Sequence, residues 1–126
     1  MPEIKLRNVK VYYEKYELPK ENKKPPILLI HGFLSSTHSF RKIIPLLREH
    51  YSVFSLDLPG FGKSEKALNF TYSYHNYGTL IIDFIKKMNL AKVILIGRMC
   101  QVFLDQPLTL TFSAFYFCTR STGTAL

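Results

Sequence analysis

Apolar and polar residues alternate from Val9 to Tyr16, with Val9, Val11 and Tyr13 on one side. A repeat of two sets alternate side chains on one face of an extended chain, so this stretch predicts a half-buried strand. Leu18 to Pro26 holds three prolines and four charged residues and predicts a loop or hairpin tip. Ile27-Leu28-Leu29-Ile30 is then continuously apolar and ends at His31-Gly32. So short an apolar run predicts a strand covered on both faces. Ser35, Ser36 and Thr37 carry hydroxyls that can accept the unpaired amides of a helix start. Phe40, Ile43, Ile44 and Leu47 follow at helical spacing, with Arg41, Lys42, Arg48 and Glu49 among the outward positions, and predict an amphipathic helix. Val53 to Leu56 predicts a second buried strand, closed by Asp57-Leu58-Pro59-Gly60-Phe61-Gly62. Tyr77, Leu80, Ile81, Phe84, Ile85 and Met88 mark a second helix, and Val93 to Ile96 a third buried strand ended by Gly97.

After the first strand the order is strand, helix, strand, helix, strand. That alternation predicts an α/β fold with a mostly parallel sheet and flanking helices. In such sheets chemistry gathers beyond the carboxyl ends of the strands, which here are the loops after Ile30, Leu56 and Ile96.

Composition changes abruptly near residue 98. Up to Arg98 the chain carries 16 of its 17 Lys and Arg and 8 of its 9 acids; the last 28 residues hold only Asp105 and Arg120, with five of the eight threonines. Leu108 to Phe117 is β-prone and uncharged, where the topology calls for a helix. The chain therefore divides into residues 1–97 and a charge-poor tail, 98–126, of uncertain fold. An uncharged β-prone segment is also an aggregation hazard when exposed.

The 126 residues suffice for one domain, and 47% hydrophobic with 21% charged residues excludes a wholly disordered chain. The net charge of +8 is spread over scattered lysines and arginines without a run of five or six, so no nucleic-acid partner is expected. No apolar run is long enough for a membrane span, and the first residues lack the apolar core of a secretory signal. Cys100 and Cys118 make no disulfide framework, and a reducing cytoplasm is expected. No H-x-x-x-H, C-x-x-C or paired-carboxylate pattern occurs, so neither a metal nor a cofactor is expected. Tyr72, Tyr74 and Tyr77 read as packing residues before they read as the mouth of a pocket.

Two loops invite chemistry. A glycine after a buried strand, as in His31-Gly32-Phe33, turns the backbone tightly and leaves amides free for a developing oxyanion; a plain strand-to-helix turn has the same look. Gly62-Lys63-Ser64 looks like the end of a phosphate-binding loop, but Asp57 stands where that motif needs its first glycine, and Lys63-Ser64 leads into a polar connection.

Together the stretches I-L-L-I-H-G-F (27–33), D-L-P-G-F-G-K-S (57–64) and V-I-L-I-G (93–97) resemble the α/β-hydrolase superfamily, in its branch of esterases, epoxide hydrolases, haloalkane dehalogenases and ring-cleavage hydrolases. The resemblance covers about Val9 to Gly97 and fits the family's third, fourth and fifth strands, which implies an incomplete α/β-hydrolase fold. It implies a serine hydrolase ancestry and a small ester-like substrate for the intact enzyme. By that resemblance Phe33 supplies one oxyanion amide and Cys100 the other. His31 and Gly32 shape the first loop, Asp57, Gly60 and Gly62 the second, and Gly97 opens the third.

The family's third loop reads Gly-x-Ser-x-Gly, with small residues relieving a strained turn. Here it reads Gly97-Arg98-Met99-Cys100-Gln101, and Met99 in the nucleophile slot has no proton to give up. Cys100 lies one place off, and all four histidines (His31, His38, His50, His75) precede Gly97, so no catalytic residue is intact. A reading-frame change near codon 98 joins these breaks, and a natural short variant is the rival account. The expectation is a chain inactive on its own. The alternatives are a noncatalytic module that binds through its basic surface and a non-functional, poorly folded product whose strand Val93–Ile96 lacks neighbours.

Overall fold

The computed structural model describes residues 2–19, 23–31, 36–90, 92–97 and, as backbone, 113–118. Six strands form one sheet: β1 (Glu3–Leu6), β2 (Val9–Tyr16), β3 (Ile27–Ile30), β4 (Val53–Leu56), β5 (Lys92–Gly97) and β6 (Ser113–Cys118). Their spatial order is β1-β2-β4-β3-β5-β6. β1 and β2 pair antiparallel, as do β2 and β4, whereas β4, β3, β5 and β6 run parallel. The three predicted buried strands lie side by side in the centre.

Three expectations are corrected. The sheet begins earlier than Val9: Glu3-Ile4-Lys5-Leu6 pairs with β2 through a tight hairpin whose two turn residues, Arg7 and Asn8, take φ of 49° and 64°. Two successive left-handed residues give the turn whose twist matches that of a hairpin. The amphipathic helix over 40–47 is broken. Thr37–Phe40 is a 3₁₀ turn capped by the Ser36 hydroxyl, and α1 is only Ile44–Leu47. Pro45 has no amide to donate to an earlier turn, so the helix starts there and does not run through it. Ile43 is consequently 39% exposed and Leu46 67%, while Phe40 and Ile44 stay buried. Last, β5 does not lack neighbours, because β3 flanks it on one side and β6 on the other. Within the tail a strand forms where an uncharged β-prone stretch was read.

The core has two sides. On one, α2 (Tyr74–Lys87) lays Leu80, Ile81, Phe84 and Ile85, all 1% exposed or less, against Leu28, Ile30, Phe54 and Leu56 of the sheet. The Ser73 hydroxyl caps its start by accepting from the Asn76 amide. Asn89, at φ 57°, ends it, and the Leu90 and Asn89 amides return to the carbonyls of Ile85 and Lys86. That pair of bonds is the usual left-handed stop of a helix, with asparagine where glycine is commonest. On the other side Phe40 and Ile44 cover Ile27, Leu29 and Val53. No helix among the described residues is long and apolar enough to cross a membrane.

Candidate functional site

The parallel register puts three chain exits level. Ile30, the last residue of β3, pairs with Leu56 of β4 on one side and Gly97 of β5 on the other. The strand ends at Ile30, Leu56 and Gly97 therefore lie side by side at one height, the place where α/β sheets assemble sites.

Asp57 and Leu58 hold the chain after Ile30 at His31 and Thr37. His31 is fully buried, and its Nε2 accepts the Leu58 amide at 2.9 Å. Its ring meets the Phe61 ring edge-on, 5.4 Å between centroids. Asp57 is 1% exposed; its Oδ1 accepts the Thr37 amide at 2.7 Å and its Oδ2 the Lys63 amide at 2.8 Å. Hydrogen bonds from amides to an ionised carboxylate are among the stronger kinds, and buried amides left without an acceptor are costly. Two successive residues of the second loop thus clamp positions 31 and 37 of the first, one on each flank of residues 32–36.

The second loop closes on its own carboxylate. Gly62 sits at φ 55° against Asp57, so close that a β-carbon there would lie 2.2 Å from Oδ2. The Ser64 hydroxyl donates to the Asp57 carbonyl and accepts the Tyr12 amide at 2.8 Å. The Gly60 amide goes to the Glu65 carbonyl and the Ser64 amide to the Phe61 carbonyl. The resemblance of Gly62-Lys63-Ser64 to a phosphate loop stops here, because the Lys63 and Ser64 amides already have acceptors within the protein and no helix directly follows Ser64.

Tyr77, at the second turn of α2, donates its hydroxyl to the Pro59 carbonyl at 2.9 Å and fastens the loop from behind. Burial, with a smaller contribution from Tyr72, pushes its phenol up to about 12. A pKa raised above its unfolded value of 10.0 favours the protonated fold, so this stabilisation is complete below pH 10 and is lost as pH rises through about 12. Tyr77→Phe is expected to cost about 1 kcal/mol at neutral pH. It is also expected to flatten the fall in stability between pH 10 and 12, as read by urea unfolding of the two proteins across that range.

Of the residues singled out in the sequence, His31, Asp57, Gly60, Gly62 and Gly97 fall in or beside this cluster. Gly32, Phe33, Met99 and Cys100 lie outside the described residues. Tyr77 does serve packing; Tyr72 is half exposed and donates to the Ala67 carbonyl. The amides of Thr37 and Leu58 and the Tyr77 hydroxyl were missed as functional partners. Only the Tyr77 position carried a signal, as an aromatic on the apolar stripe of a helix. Among the described residues no group of three or more His, Cys, Asp or Glu side chains is placed to hold a metal.

Comparison with known proteins gives the same picture from outside. A family model described as alpha/beta hydrolase fold matches residues 25–98. An uncharacterised hydrolase, YugF, of Bacillus subtilis (strain 168) is 45% identical over 90 residues, which are 71% of this chain and 32% of that protein. The 2-hydroxy-6-oxo-6-(2'-aminophenyl)hexa-2,4-dienoic acid hydrolase of Metapseudomonas resinovorans is 38% identical over 77 residues, 58% of this chain and 26% of that enzyme. The chain thus spans no more than about a third of these relatives. Among solved structures, a bacterial membrane phospholipase A superposes with a TM-score of 0.70 at 28% identity, over 77% of this chain and 30% of that one. The epoxide hydrolase CorEH reaches 0.79 at 22% identity, over 93% and 40%, a likeness of fold.

Proposed function

The chain belongs to the α/β-hydrolase fold family, and we propose that it carries the oxyanion-loop half of a serine hydrolase for small carboxylic esters or similar bonds. The observation that supports this most is the clamp of Asp57 and Leu58 on both flanks of residues 32–36, level with Gly97 of β5. An oxyanion hole requires donors fixed before charge develops, and anchors at His31 and Thr37 suit that requirement. In this reading the Phe33 and Cys100 amides face the developing oxyanion, His31, Asp57, Gly60 and Gly62 position them, and residue 99 is the nucleophile slot.

Methionine in that slot can neither attack an acyl carbon nor form an acyl-enzyme, and no histidine follows Gly97 in the 126 residues to act as base. We therefore take residues 1–97 as the hydrolase segment and residues 98–126 as a tail that does no catalysis. A reading-frame change near codon 98 accounts for the loss of charge after Arg98; the coding sequence there, read in all three frames, would then contain a serine elbow followed by a longer open frame. The cytoplasm is the setting this reading assumes.

Short p-nitrophenyl esters test the assignment. The chain is expected to give no turnover above buffer. Activity that survives Met99→Ala contradicts the slot, and activity that disappears in Cys100→Ser makes the thiol the nucleophile.

A further inference from the structure

Tyr12, Glu14 and Tyr16 follow one another along one face of β2, and a cation lies over each ring. The Lys63 ammonium is 4.9 Å from the Tyr12 centroid and the Arg48 guanidinium 4.5 Å from that of Tyr16. Glu14, Tyr16, Arg48 and Lys63 line a cleft of about 450 Å³ together with His38 and Arg41. It shares Thr37, Asp57, Gly62 and Lys63 with the strand-end cluster and extends from them along β2 to Tyr16 and Arg48, away from His31 and Gly97, which do not line it.

Cations outnumber carboxylates in this cleft. Asp57 reaches its wall but is buried, with an amide on each oxygen. Glu14 is the other carboxylate, against three permanent cations, and its recorded bond is a long one of 3.3 Å from the Tyr12 hydroxyl. A guanidinium laid on an aromatic face keeps its in-plane N–H edge for an oxyanion. Arg41 is held in place by its own bond to the His38 carbonyl at 3.1 Å. Opposite Glu14 in the β2–β4 register, the Ser55 hydroxyl is fully buried and has no hydrogen-bond partner among the described residues. Ile44 and Pro45 add an apolar wall.

We infer that this cleft binds a small phosphate monoester, its phosphate held by Arg41, Arg48 and Lys63 and its organic body against Tyr16, Ile44 and Pro45. The size suits a ligand of that kind. Cations brought from the helical segment and from the 57–64 loop suit a group with three terminal oxygens better than a planar carboxylate. This inference does not depend on the proposed hydrolase function.

Calorimetric titration of the 126-residue chain at pH 8 with phenyl phosphate, inorganic phosphate and benzoate tests it. Phenyl phosphate is expected to bind one to one, about fivefold more tightly than inorganic phosphate and about tenfold more tightly than benzoate. Arg41→Gln with Arg48→Gln, both exposed positions, should weaken it at least about tenfold. Glu14→Gln should tighten it. Lys86→Gln with Lys92→Gln removes the same charge outside the cleft and should change affinity less than about twofold, since exposed distant charges are screened. Benzoate binding as well as phenyl phosphate, equal weakening by both double substitutions, or no saturable binding below about 10 mM overturns the inference. Should the arginine pair fail to fold, Lys63→Gln replaces it with the same expected direction.

Discussion

Gly62→Ala is expected to remove about 3 kcal/mol or more of stability, enough to unfold much of a domain this small. The added carbon would stand 2.2 Å from Asp57 Oδ2, 2.4 Å from its Cγ and 2.8 Å from Oδ1. Asp57 cannot swing aside without loss, because it is buried and its two oxygens accept the Thr37 and Lys63 amides. The left-handed backbone at φ 55° adds about 1–2 kcal/mol for any residue with a β-carbon. Gly60→Ala is the matched comparison. Its φ is 87°, but the nearest atom to the new carbon is Tyr72 Cε1 at 2.9 Å, on a half-exposed side chain that can rotate. Its cost should stay near about 1–2 kcal/mol. Urea midpoints of the two variants measure the difference, and equal or inverted losses would contradict the close packing of Gly62 on Asp57.

Asp57→Ala is expected to cost about 3 kcal/mol, since the Thr37 and Lys63 amides each lose a buried acceptor. Asp57→Asn keeps one acceptor oxygen and should cost about half as much, which separates loss of an acceptor from loss of packing volume. The two positions should also be strongly coupled. In the Asp57→Ala background the clash disappears, so Gly62→Ala should cost only its backbone share of about 1–2 kcal/mol. Faster hydrogen exchange at the Thr37 and Lys63 amides in Asp57→Ala, with α2 unchanged, would place the damage at the clamp. Additive losses in the double variant would contradict it.

The central parallel strands were legible because buried strands are short continuous apolar runs, and Ile27–Ile30, Val53–Leu56 and Val93–Ile96 are such runs. β1 had the same signal in weaker form. Glu3-Ile4-Lys5-Leu6 alternates, and Asn8 is suited to a left-handed turn, but four residues near a chain start carry little pattern. The helix over 40–47 was misread because periodicity was weighed without Pro45. In the tail, the demand of an α/β order for a helix competed with local β propensity, and at Ser113–Cys118 propensity won. Asp57, Gly60 and Gly62 could be found from the spacing of their motif. Thr37 could not, because what Asp57 grips is a backbone amide twenty residues away, and that contact exists only once β3 and β4 lie side by side.

Intact-mass analysis after incubation with an excess of a fluorophosphonate, which labels activated serine nucleophiles, tests the account most directly. The account predicts an unmodified chain, because residue 99 is a methionine. A stoichiometric adduct that peptide mapping places on any residue after Ile96 would contradict it.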